Sequence, residues 1–179
     1  MSPSELVARY RALPFPSGEL GDCAENYLKC QILSALGQYA NEPEVLQLLL
    51  DILSERGELD LARMDAAKIV ALEIDGRSPL ERQLKDQLWC IAANVADNQL
   101  VRQQVAQCLQ FGFGGKDEAR IVEQVLFDDH DDVDVRFGLL HYLADPRAAA
   151  LAKELLPRLR EHWYWSQFEA ALDAITAKH

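Results

Sequence analysis

The densest run of ionisable groups in the 179-residue chain is Asp128-Asp129-His130-Asp131-Asp132-Val133-Asp134, with five carboxylates in seven residues. Such an oxygen-rich run can hold a divalent cation, but this one lacks the glycine and the distal glutamate of an EF-hand loop. Two other readings compete: a turn with helix-capping carboxylates, and an acidic knob that meets a basic partner through Asp128, Asp129 and Asp131. Gly112-Phe113-Gly114-Gly115-Lys116 invites comparison with a phosphate loop. It follows a helical pattern instead of a strand, and Asp117 stands where Ser or Thr is needed, so it reads as a helix stop. His130, His141, His162 and His179 fall in no nucleophile or metal motif. Cys23, Cys30, Cys90 and Cys108 form no CxxC pair and read as small core residues in a reducing compartment. These patterns assign no catalytic residue, no metal and no cofactor.

Any site must be carried by helices, because alternating strand patterns and Asn-Gly or Asp-Gly hairpin turns are missing and helical periodicity runs throughout. Short breakers separate about ten segments. They span about 4–13, 22–40, 43–56, 58–74, 79–96, 98–111, 116–127, 132–144, 146–160 and 163–177. Asp22 is a candidate N-cap, Asn41 before Pro43 is another, and Asp97 or Asn98 opens the sixth segment. Pro157 is placed to kink the ninth. The Pro14–Gly18 loop sets residues 1–21 apart from the rest of the chain.

Every second segment shares one frame. An apolar residue followed by a basic one stands near its start: Leu28-Lys29, Ala62-Arg63, Val101-Arg102 and Val135-Arg136. The basic residues are 34, 39 and 34 positions apart. At +3, +4 and +7 from them stand Ile32, Leu33 and Leu36; Ala66, Ala67 and Val70; Val105, Ala106 and Leu109; and Leu139, Leu140 and Leu143. All are apolar, which is one buried helix stripe repeated in register. At −5 stand Glu58, Asp97 and Asp131 in three copies. A degenerate fifth copy carries Phe168 in the basic position, with Ala171, Leu172 and Ile175 at the apolar offsets.

Period, frame and paired helices resemble the HEAT-repeat family, most closely over Leu46–Leu72 and Ile121–Asp145. The resemblance implies an all-α fold: a right-handed α-solenoid of about five helix pairs, one elongated domain over 1–179 with the repeats in 22–179. It further implies that Lys29, Arg63, Arg102 and Arg136 form a structural ladder between units. That ladder would be paired to turn carboxylates such as Asp97 and Asp131 and partly exposed, at about 0.5–1 kcal/mol per pair. Second helices line the concave surface in that family. The partner-facing stripe here would then hold Gln31, Ser34, Gln38, Asp65, Lys68, Gln104, Gln107, Gly138 and His141.

His162-Trp163-Tyr164-Trp165 is read either as a cap on the last apolar end or as a binding hot spot. The net charge of −11 is spread evenly, with 15 acidic and 9 basic residues in 1–89 and 14 and 9 in 90–179. That balance speaks against nucleic acid as a partner. The N-terminus has no apolar h-region, and no stretch of about 18 apolar residues occurs, so neither a secretory signal nor a membrane span is expected. The expectation is a non-catalytic, cytoplasmic, bacterial protein-binding module with a basic protein as partner. It would be a scaffold or adaptor, or an immunity-type inhibitor of a basic toxin. The alternative is a HEAT-like enzyme of the bilin-lyase or DNA-glycosylase kind.

Overall fold

Serine, asparagine and aspartate caps set where the helices begin. In the computed structural model, which describes residues 1–14, 24–111 and 116–179, the Ser2 hydroxyl accepts from the Glu5 N–H while Glu5 accepts from the Ser2 N–H. This capping box opens α1 (Pro3–Arg11). α2 (Ala24–Leu36) ends in a 3₁₀ turn, Gly37–Tyr39, and α3 (Pro43–Ser54) starts on its proline. The N-cap of α3 is Glu42, not Asn41, because the proline takes the first helical position and the residue before it must stay extended. α4 (Asp60–Glu73) is followed by Gly76, whose φ of +80° gives the turn before Ser78 caps α5 (Pro79–Ala93). Asn98, not Asp97, caps α6 (Gln99–Leu109). α7 (Glu118–Phe127) leads to α8 (Val133–Tyr142), capped by Asp132. α9 (Ala149–Glu161) runs through Pro157 as one helix, and the 3₁₀ turn Trp165–Phe168 precedes α10 (Glu169–Thr176). Among the described residues there are ten α-helices and no strand. The candidate cap Asp22, Cys23, most of the Pro14–Gly18 loop and the glycines of 112–115 lie outside the described residues.

The helices pack as two rows. α1, α3, α5 and α7 touch in succession, and so do α2, α4, α6 and α8. Each odd helix also packs on the even helix that follows it. All twelve apolar offset residues are buried, and the core runs without a break from Leu6 to Ile175.

α6 and α8 approach most closely at Gly138. A Cβ there would lie 2.8 Å from Ala106 Cβ and 2.9 Å from the Ala106 carbonyl carbon. This corrects the placement of Gly138 on a solvent-facing stripe: it is buried because its side of α8 faces α6. A Gly138→Val substitution should push the two helices apart and cost about 1–3 kcal/mol. A thermal melt unchanged from that of the native chain would contradict this packing.

Candidate functional site

Arg63 lies on α4 one turn from its start, where its side chain reaches the end of the preceding helix. Its Nη2 donates to the Leu53 carbonyl at 3.2 Å, and its two terminal nitrogens hold Asp97 at 2.6 and 2.9 Å. Arg102 repeats this on α6: Ala92 carbonyl at 2.7 Å, Asp131 at 2.7 and 2.8 Å. Arg136 on α8 donates to the Leu126 carbonyl at 3.1 Å, and Lys29 on α2 holds Glu58 at 2.6 Å. The three carbonyls are among the last of α3, α5 and α7, which have no partner within their own helices. The three carboxylates stand just before the next even helix, and each also accepts the N–H of the residue after it: Leu59, Asn98 and Asp132. Arg63 and Arg102 therefore each tie an odd helix end, an even helix and the start of the next even helix. The pairs are not partly exposed as expected. Lys29, Arg63, Arg102 and Arg136 are at most 3% exposed: the three arginines reach helix-end carbonyls between the rows, and Lys29 reaches the buried Glu58.

Aromatic rings close the series at both ends. Lys29 Nζ lies 5.2 Å from the centre of the Tyr10 ring. Tyr10 is itself buried, and burial, then the Glu58 carboxylate, raises its hydroxyl well above the ordinary value of 10. A pocket of about 480 Å³ opens here between Tyr10, Lys29, Ile52 and Glu58. At the other end the frame position for a carboxylate is Trp163, so Arg136 has no acid from a following unit. Its guanidinium instead stacks 4.1 Å from the Tyr164 ring centre and 5.0 Å from that of Trp165. Trp165 Nε1 donates to the Leu126 carbonyl at 2.7 Å, the carbonyl that Arg136 also uses.

The acidic run is spent on this framework. Asp128 accepts the His130 N–H, and Asp129 accepts Trp163 Nε1 at 2.7 Å and lies 3.4 Å from Arg136. Asp132 caps α8 and takes Gln99 and Gln103 from α6. Asp131 is corrected as a partner-facing residue: it is buried, with both oxygens on Arg102. Trp165 is corrected likewise, being fully buried, whereas Trp163 is exposed and Tyr164 half-buried. No group of three or more His, Cys, Asp or Glu among the described residues is arranged to hold a metal ion.

The outer side of the even row carries the remaining predicted positions. Gln31, Gln38, Lys68, Gln107 and His141 are exposed, while Asp65 and Gln104 are half-buried. Lys68 pairs with Asp65 at 3.3 Å, and Gln104 Nε2 lies 3.4 Å from Cys108 Sγ. Burial raises the thiols of Cys30 and Cys108, the former also through neighbouring Asp65, so both stay protonated and unreactive. Cys90 departs from the core reading and is exposed. Sequence reasoning missed the apolar residues on this side: Tyr27, Leu61 and Leu100 are 74%, 53% and 57% exposed, each two positions before the ladder cation. Leu72 and Phe111 are 64% and 58% exposed, each nine positions after it. Counting the frame outward to −2 and +9 finds them, because both offsets fall opposite the buried stripe at 100° per residue.

The chain matches no protein-family model, no curated protein and no solved structure.

The pH dependence of folding is set by the carboxylates. Burial alone would raise Asp97, but the Arg63 bonds and the Asn98 N–H outweigh it and hold its pKa below the ordinary 3.8. Asp132 is lowered in the same way: the Gln103, Gln99 and backbone N–H bonds outweigh its burial. A carboxylate depressed in the folded state stabilises it fully above the unfolded value and loses that contribution as pH falls through the folded one. Asp60, raised by burial, partly opposes this. Urea midpoints should therefore fall below about pH 4. Asp97→Asn should destabilise strongly at pH 7 and much less at pH 3. Equal losses at the two pH values would refute the assignment.

Proposed function

We propose that the chain is a small HEAT-like α-solenoid that works as a non-catalytic protein-binding module, with the outer face of its even helices as the contact surface. The two-row packing and the repeated cation–carboxylate links support the solenoid reading. The observation that carries the binding reading is the division of labour on α2, α4, α6 and α8. Their charged groups with the strongest partners are sealed inside, while their outer positions present amides, His141 and exposed apolar side chains that the core does not use. Large apolar residues left exposed in register mark an interaction surface. The net charge of −11 favours a basic protein as partner through steering and complementarity. A scaffold, and an inhibitor of immunity type that covers a basic toxin in a bacterial cytoplasm, are the two forms this function takes. Among the described residues, no helix is long and apolar enough to cross a membrane.

Affinity capture from native lysate with mass spectrometry should return one basic protein in stoichiometric amount. The double variant Gln104→Lys/His141→Lys, which sets like charge against a basic partner, should retain it at least about tenfold less well, a loss of about 1.4 kcal/mol. Unchanged retention by the variant would remove this face from the proposal, and co-purification of a pigment or nucleic acid would replace it with an enzyme reading.

A further inference from the structure

The exposed apolar residues at the starts of the even helices form a line that crosses the row. Tyr27 on α2, Leu61 on α4 and Leu100 on α6 share one frame position, and Val133, 47% exposed, stands one residue earlier in the frame on α8. Packed helices lie about 8–10 Å apart, and one heptad of an α-helix rises about 10.5 Å. Side chains seven apart on a helix laid across the row would therefore meet successive units.

The charge beside this line has one sign. Glu25, Asp60, Asp132 and Asp134 stand next to it at the helix starts, half-buried or exposed. The only cations on the first two turns of these four helices are Lys29, Arg63, Arg102 and Arg136, and all are buried in the ladder. The ladder thus strips the line of accessible positive charge. Nucleic acid and anionic lipid surfaces are repelled by such a face. A second copy of the chain would bring the same carboxylates against it.

We propose that the first turns of α2, α4, α6 and α8 form a docking strip for a basic amphipathic helix of the partner protein, its apolar face on Leu61 and Leu100 and its cations on Asp60 and Asp134. This rests on the protein-binding reading above and names the chemistry of the partner. Recognition is of the helix-in-groove kind, read through heptad-spaced anchors.

The test uses the full chain and a fluorescein-labelled synthetic helix of roughly three heptads with leucines on one face and lysines on the other. Two control peptides accompany it: a scrambled isomer of equal charge, and a version with glutamate for lysine. Fluorescence anisotropy should show the amphipathic basic peptide bound at least about tenfold more tightly than either control. The variant Leu61→Ser/Leu100→Ser alters side chains that lie outside the buried core, so its melting temperature should stay close to that of the native chain while its affinity for the peptide drops at least about tenfold. That loss supports the strip whether or not a natural partner is captured. Equal binding of the scrambled peptide, or undiminished binding by the variant, overturns the strip while leaving capture through Gln104 and His141 standing.

Discussion

A guanidinium taken out of water needs acceptors for its N–H groups, and Arg63, Arg102 and Arg136 each find one in the carbonyl ten residues earlier. For Arg63 and Arg102 the second acceptor is a carboxylate at the start of the next even helix. Removing one partner of such a buried pair leaves a charge without compensation and costs about 3–5 kcal/mol. A pair of this kind tolerates little change of register between adjacent units. The odd helix end, the even helix and the following turn are therefore fixed by a shared electrostatic requirement, and the apolar stripes then fill the space between them.

Such a series needs an end. At the first unit the cation is a lysine, which asks for fewer aligned acceptors than arginine, and Tyr10 lies beside it. At the last, Tyr164 and Trp165 replace the missing carboxylate with ring faces. The aromatic run at 162–165 thus serves as a cap through Trp165, while Trp163, on the outer side of the same turn, is held by its indole N–H on Asp129 and an edge contact with the Tyr164 ring at 5.8 Å. Two tryptophans two residues apart take opposite environments: the Trp165 indole N–H reaches the buried Leu126 carbonyl, the Trp163 indole N–H the Asp129 carboxylate.

Helix positions, the buried stripe at +3, +4 and +7, and the frame of the cations are legible in the sequence because each depends on local periodicity. Depth is not. A basic residue beside an apolar stripe looks the same whether its head group reaches solvent or the end of a neighbouring helix, so the pairing alone predicts partial exposure. Asp131 sits in a run that looks like a solvated knob, and only the reach of Arg102 explains its burial. Gly138 falls at an outward offset, yet the absence of a side chain is what lets α6 close over it. Leu61 and Leu100 escape notice because leucine at a helix start reads as core unless its angle to the stripe is counted.

The ladder also shapes the outer surface. By drawing four cations inside, it leaves the first turns of the even helices without an exposed cation. Stability and the proposed binding chemistry thus have a common origin in the same four residues. The most direct measurement is native-state hydrogen exchange on Asp131→Asn beside the native chain. If the Arg102–Asp131 pair couples units, amides of α6 and α8 lose protection together while those of α2 do not. A loss confined to residues 131–135, with α6 unaffected, would contradict it.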